Sequence, residues 1–302
     1  MTGSRSFDGL AVVVVNYGAS DLLADGLVAV SRDLTGADVI VVDNLSTQAE
    51  RAAITELGAT HGWEIVPAPE NLGFGAGCNL GAATAWGRGA TRVLLLNPDA
   101  TIDFASVAQL EEAIAADPRA LVAPVVRRPD GSVWTAGNRL DPASGRMLGR
   151  TERPGEGVLW LSGACLMLTR DLWDRIGGFD DDYFLYWEDV DLSARVTAAG
   201  GRLRVLTDAV AVHLVGGTQP ATAGRARSPL YYYFNIRNRQ LFADRHLDPA
   251  LRRRWRRSSL AAAREVLLRG GRRQFLRPVP VLRIAWLGLR DARRGRWGRG
   301  PF

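Results

Sequence analysis

Four short, almost uninterrupted apolar runs constrain this chain more than any other feature: residues 10–15, 39–43, 63–66 and 93–96. Apolar character without alternation marks strands buried on both faces, as in a parallel sheet. Between them, residues 20–33, 47–61 and 77–89 carry the spacing of amphipathic helices, and 103–116 follows as a fourth. Ser20, Thr47 and Asp103 stand where helix N-caps belong. Strand and helix in alternation predict an α/β fold, a Rossmann-like, mostly parallel sheet flanked by helices. With 302 residues, 47% of them hydrophobic, the chain can bury a full core.

In open sheets of this kind ligands bind beyond the carboxyl ends of the strands. Polar residues and glycines follow all four runs: Asn16-Tyr17; Asp43-Asn44 and Ser46; Asn71-Leu72-Gly73-Phe74-Gly75-Ala76-Gly77-Cys78-Asn79; and Asn97-Pro98-Asp99. Four successive polar strand ends make a candidate nucleotide cleft. Past residue 120 the pattern loosens, and Pro124, Pro129, Asp141-Pro142 and Pro154-Gly155 punctuate a loop-rich stretch. Order returns with a strand expected over 160–168, a helix over 187–199, and strands over 202–206 and 210–214. From about residue 228 the chain reads as helical and basic, with 216–229 the candidate boundary. This divides it into a catalytic unit, 1–220, with a nucleotide half to about residue 100, and a C-terminal segment, 221–302.

A carboxylate at Asp99, directly after a buried strand, can hold a divalent cation that bridges two phosphates, although Asn-Pro-Asp is also common turn chemistry. The glycines of 71–77 allow backbone to approach a diphosphate, or simply allow a helix to sit close on a strand. Their spacing and position are not those of the dinucleotide fingerprint. The third group is Trp187-Glu188-Asp189-Val190-Asp191, preceded by Tyr183, Phe184 and Tyr186. Acidic residues in a first turn complement the helix dipole. Three carboxylates in four positions exceed that need and point to a general base walled by aromatic rings. A lone histidine such as His213 is more often a core residue than a ligand, and His61 and His246 are assigned to the surface.

Charge is distributed unevenly. All 38 basic residues are arginine, and the net charge is +6. Residues 251–302 hold 16 arginines against Glu265 and Asp291, a net of +14, which leaves −8 for residues 1–250. Within 276–294, Val279, Leu282, Trp286 and Leu289 recur at helical spacing, while Arg283, Arg290 and Arg294 fall on another face. With Trp255 and Trp297 as further interfacial aromatics, this segment reads as a helix on an anionic membrane surface. The alternative is that the stripe packs on the catalytic unit. An arginine-rich nucleic-acid-binding protein is the competing class. The acidic body and the lack of a nucleic-acid motif argue against it, so no nucleic-acid partner is expected. A nucleotidyltransferase would carry a basic loop after the first strand, where this chain has Asn16-Tyr17-Gly18-Ala19. Two cysteines, and no opening signal or apolar run of about 18 residues, lead to the expectation of a cytoplasmic protein, peripheral on the inner face of the membrane. The oligomeric state is left open.

Taken in order, residues 12–17, 41–46, 71–79, 97–99, 161–167, 177–192 and 213–218 resemble the inverting family 2 glycosyltransferases of GT-A fold, and among them bacterial rhamnosyltransferases acting on polyprenyl-diphosphate-linked acceptors. The resemblance implies a nucleotide-diphosphate sugar donor, dTDP-L-rhamnose or else a UDP- or GDP-sugar, a glycan or lipid-diphosphate acceptor, and Mg²⁺ or Mn²⁺ as cofactor. It implies Asp189 as base, with Glu188 orienting the acceptor or loop. Tyr17, Asp43, Asn71, Gly75 and Asn79 would line the donor pocket, with Ser162 and Gly163 beneath the sugar. Asn97 and Asp99 stand at the D-x-D motif, where a single carboxylate would be helped by His213. Trp187 would face the acceptor, and Asp191 would lie on that side or support the helix.

Overall fold

The computed structural model describes residues 6–148, 157–214, 227–276 and 278–302. The expected boundary at 216–229 lies largely outside these, as do Pro154-Gly155 and Gly216-Gly217-Thr218.

The strand and helix alternation of the first hundred residues is present. In order come β1 (Leu10–Asn16), α1 (Ser20–Leu22), a π turn (Leu23–Leu27), α2 (Val28–Asp33), β2 (Asp38–Asp43), α3 (Gln48–His61), β3 (Glu64–Pro67), α4 (Phe74–Gly87) and β4 (Arg92–Leu96). Next are β5 (Ala100–Ile102), α5 (Phe104–Ala116), β6 (Ala120–Arg127), β7 (Val133–Thr135), β8 (Asn138–Asp141), β9 (Arg146–Leu148), β10 (Val158–Trp160) and β11 (Cys165–Thr169). Then follow α6 (Arg170–Ile176), α7 (Glu188–Ala198), β12 (Arg202–His213), α8 (Pro229–His246), α9 (Pro249–Arg257), α10 (Ser259–Leu268) and α11 (Pro278–Arg294).

The main sheet runs β3-β2-β1-β4-β11-β6-β12-β5, with β7 paired to β6, and a small sheet runs β10-β8-β9. Strands β3, β2, β1 and β4 are parallel, whereas β11 is antiparallel to both β4 and β6. Strand β12 is parallel to β6, so His213 at its end reaches the same edge as Asn97 and Asp99. Successive β1 residues face opposite layers. Leu10, Val12 and Val14 join the α2, α3 and α5 side, while Ala11, Val13 and Val15 join the α4, α6 and α7 side.

Helix α4 sits directly on β1 because the two residues that meet that strand, Gly77 and Gly81, are glycine. A Cβ on Gly81 would clash with Val13, and one on Gly77 would come within 2.7 Å of Val15. A Cβ on Gly75 would lie 2.9 Å from Phe179. Close packing is therefore one thing these three glycines do. Thr47 and Asp103 cap α3 and α5 through their side chains, each contact being worth about 1 kcal/mol. Ser20 does not cap its helix: Ala19 is the cap residue, and Asn16 Oδ1 accepts its amide hydrogen.

Three expected elements differ. The stretch past residue 120 contains the central strand β6, with Pro124 inside it. Proline is tolerated there because β12 opens into a bulge between Leu206 and Val210, opposite Pro124. The same bulge joins the two expected strands, 202–206 and 210–214, into one. The strand expected over 160–168 is two, β10 and β11, in different sheets and separated by the turn that carries Ser162 and Gly163.

The C-terminal helices also redistribute the aromatic residues. Trp255 is fully buried, donates Nε1–H to Pro142 O at 2.8 Å and lies under the Arg239 guanidinium, so it is a core anchor and not an interfacial ring. Trp297 is partly buried in the same cluster. The stripe of α11 divides: Leu289 packs towards α8, while Val279, Leu282 and Trp286 stand exposed beside Leu276. No helix among the described residues is long and apolar enough to cross a membrane.

Candidate active site

The carboxyl edge of the sheet carries two neighbouring groups of side chains. In the first, Asp99 Oδ1 lies 2.8 Å from His213 Nε2, both residues buried, and Asn97 Nδ2 is 3.4 Å from the same nitrogen. Trp134 of β7 packs edge-on against the imidazole. His213, far from Asp99 in sequence, is thus placed beside it by the β12–β5 pairing, and its Nδ1 has no hydrogen-bond partner among the described residues. One carboxylate, one imidazole and one amide converge here. That donor set fits a divalent cation whose remaining ligands come from phosphate oxygens and water. No cluster of three or more His, Cys, Asp or Glu side chains of metal-binding type occurs among the described residues.

The second group surrounds Asp189. Its Oδ2 accepts from Gly163 N at 3.1 Å and its Oδ1 from Val190 N at 2.9 Å. Burial pushes its carboxyl up to about 6, against the pull of these backbone hydrogen bonds. Burial, followed by the Asp189 charge, raises Glu188 well above the usual carboxylate range, and Glu188 Oε2 has no partner among the described residues. Two adjacent carboxyls whose surroundings shift them to different extents can take different roles. The turn 162–164 links the groups, since Asn97 N donates to Ala164 O at 3.0 Å.

On the other side, Asn44 ties down the glycine-rich loop. Its Nδ2 donates to Asn71 Oδ1 and Gly73 O, and its Oδ1 accepts from Leu72 N. In sequence Asn44 is one polar residue among several at a strand end; its burial and hydrogen bonds make it the knot of this loop. Tyr17 is half-exposed at the end of β1. Asp43 is buried, paired with Arg51, and accepts from Leu45 N.

Three expected positions point elsewhere. Asn79 is spent within the protein: its amide bonds Phe179 N, Phe179 O and Asp181, pinning α4 to the 179–181 loop. Trp187 does not face an acceptor; its ring is buried against Phe242 and Trp255. Asp191 is buried between Arg195 Nε at 2.7 Å and His246 Nε2 at 2.6 Å. His246 is therefore an internal partner and not a surface residue. Burial raises the Asp191 carboxyl, but the His246 hydrogen bond and Arg195 together hold it below its ordinary value.

An α/β sheet with a polar carboxyl edge, an Asp–His pair at the ends of β4 and β12, and a partly buried carboxylate at the start of α7 are arranged as in the GT-A fold of glycosyltransferases. Comparison with known proteins agrees: residues 11–177 match the model of glycosyl transferase family 2, and the chain belongs to that family. The chain is 30% identical to the N-acetylglucosaminyl-diphospho-decaprenol L-rhamnosyltransferase of Mycobacterium tuberculosis, over 79% of this chain and 85% of that protein. The structure is similar to mannosyltransferase PcManGT of Pyrobaculum calidifontis, solved with GDP-Man and Mn²⁺: TM-score 0.58, 17% identity, 97% of this chain and 88% of that one. It is also similar to S. aureus TarS 1-349, with TM-score 0.54, 15% identity, and 94% and 80% covered.

Proposed function

We propose that this glycosyltransferase transfers L-rhamnose from dTDP-L-rhamnose, with inversion, to a hydroxyl of a lipid-diphosphate-linked glycan in cell-wall or polysaccharide assembly. The observation that carries the chemistry is the Asp189 carboxylate, held by the Gly163 amide at the turn that also binds the Asn97 backbone. The choice of sugar and acceptor rests on the mycobacterial relative, whose name specifies both a rhamnosyl transfer and a diphospho-decaprenol acceptor.

In this reading Asp189, ionised above about pH 6, takes the acceptor proton as the acceptor oxygen attacks the anomeric carbon. The nucleoside diphosphate departs from the opposite face in one displacement, so configuration inverts and no sugar–enzyme bond forms. Glu188, whose carboxyl burial raises, stands beside Asp189 at the start of α7. Asp99, His213 and the Asn97 amide would hold Mg²⁺ or Mn²⁺, which supplies positive charge to the departing diphosphate. Tyr17, Asp43 and the Asn44–Asn71 loop line the nucleotide side.

The acceptor's lipid anchor gives the exposed face of α11 a role. Leu276, Val279, Leu282 and Trp286 are 52–84% exposed beside an arginine-rich segment, which supports peripheral binding to an anionic leaflet on the cytoplasmic side.

The reading is tested by calorimetric binding of dTDP-L-rhamnose, UDP-glucose and GDP-mannose with and without Mn²⁺. Metal-dependent binding of dTDP-L-rhamnose alone is expected. A preference for another nucleotide sugar replaces the donor, and a metal-independent affinity removes the cation.

A further inference from the structure

The segment that delivers Asp189 is strained, and what restrains it lies outside the nucleotide-binding part of the fold. Phe184, Tyr186 and Trp187 have φ of 60°, 64° and 77°, in the left-handed region that side chains other than glycine and asparagine avoid. Such conformations persist only when the surroundings over-determine them. Trp187 is the residue from which α7 starts, so the strain sits immediately before Glu188 and Asp189.

Two fully buried residues of α8 hold this segment. The two hydrogens of Asn238 Nδ2 are shared among three backbone carbonyls, Tyr183 O at 2.8 Å, Leu185 O at 2.9 Å and Tyr186 O at 2.7 Å. Asn238 Oδ1 accepts from Arg237 Nε at 2.8 Å. Arg237 donates in turn to Asp182 O, Tyr183 O and Gly298 O, and its guanidinium lies over the Phe234 ring. Apart from the bond within the pair, every one of these acceptors is a main-chain oxygen, so the pair reads backbone shape and not side-chain identity. At its other side the segment meets the glycine-rich loop, where Phe74 N donates to Phe184 O at 2.8 Å.

We propose that Asn238, oriented by Arg237, is a positioning residue of the transfer reaction: it fixes the turn before α7 and thereby sets the Asp189 carboxylate against the Gly163 amide. The C-terminal helices are then part of the catalytic apparatus as well as a surface for the membrane. The inference rests on Asp189 being the base.

The test uses the full chain with dTDP-L-rhamnose and N-acetylglucosaminyl-diphospho-decaprenol. Asn238→Ala, with Asn238→Ser as the milder variant, should leave the dissociation constant for dTDP-L-rhamnose within about twofold. The same variants should lower kcat about 100-fold, the scale of a misplaced catalytic group. Loss of the Gly163 hydrogen bond removes a contact that favours the ionised carboxyl, so the acid limb of the pH profile should move to higher pH. In the Asp189→Asn background, Asn238→Ser should cost nothing further. A reduced kcat with an unmoved acid limb, or a full additional loss in the double variant, would assign Asn238 a purely structural role and overturn the proposal. If Asp189→Asn itself turned over near the wild-type rate, the base assignment would fail and this inference with it. Unchanged kcat in Asn238→Ser with an inactive Asp189→Asn would sink the positioning role alone.

Discussion

The amide of Gly163 lies 3.1 Å from Oδ2 of Asp189, and Gly163 has no room for a side chain, since a Cβ would stand 2.9 Å from the Phe74 ring. One residue therefore joins three parts of the site: the turn beneath the expected donor sugar, the glycine-rich loop, and the first turn of α7. The contact also tunes chemistry. Burial raises the Asp189 carboxyl and this hydrogen bond opposes the rise, leaving it at about 6.

The first prediction concerns pH. A base with a raised carboxyl is protonated, and inactive, below its pKa and ionised above it. Transfer by the free enzyme should rise through about pH 6 with unit slope and level off towards neutrality. Asp189→Asn should remove that limb and lower kcat by about 100-fold to 10,000-fold, the usual scale for a general base. A kcat/KM profile measured from pH 5 to 8 at constant ionic strength checks both. A limb near 4, the ordinary value, would mean that burial does not govern this group.

The second prediction concerns the Asp99–His213 pair. If the two hold the cation, Asp99→Ala should abolish the gain in donor affinity produced by Mn²⁺, a loss of at least about 10-fold to 100-fold. His213→Ala should reduce that gain while leaving binding in chelator unchanged. Titration of dTDP-L-rhamnose with Mn²⁺ or EDTA present reads both variants. An unaltered metal response would move the ion elsewhere.

The two halves of the fold were not equally legible in sequence. The first hundred residues declare themselves because doubly buried strands are written as continuous Val, Leu and Ile runs. Strand β6 does not, because Pro124 argues locally against a central strand, and only the bulge of β12 opposite it resolves the conflict. The site divides the same way. Asp99 and Asp189 are legible as carboxylates at element ends. Asp191 and Trp187 resemble their neighbours in sequence, yet their side chains turn inwards to His246 and Trp255. Arg237 and Asn238 carry no local signal of their role, since a polar pair in a basic helix is ordinary in sequence. Their partners are backbone carbonyls more than 50 residues away, which no local pattern encodes.

A third prediction addresses the junction of the two loops. Gly73 has φ of 85°, and a Cβ there would collide with the Phe184 carbonyl. Gly73→Ala combines backbone strain of about 1–3 kcal/mol with displacement of that carbonyl. It should lower the denaturant midpoint and, because the carbonyl belongs to the turn before α7, also lower kcat. Gly87→Ala, where nothing lies within 4 Å of the added carbon, is the control and should be at least neutral. Equal effects of the two substitutions on kcat would argue that the contact has no bearing on turnover.

The fourth prediction concerns the exposed face of α11. Val279, Leu282 and Trp286 lie along one side of the helix with Arg290 following, its guanidinium over the Trp286 ring. Apolar insertion and attraction to anionic lipid should act together, so binding should be strongest to vesicles rich in phosphatidylglycerol and should weaken with salt. Leu282→Glu and Trp286→Glu place charge where the acyl boundary would be. The pair should reduce co-sedimentation with such vesicles by at least about 10-fold while leaving calorimetric donor binding intact, because neither residue contacts the sheet edge. Turnover should fall with an acceptor presented in vesicles and be preserved with the same acceptor in detergent. Loss of turnover in both would place this face within the catalytic fold, and retention of vesicle binding would assign the membrane contact to another surface.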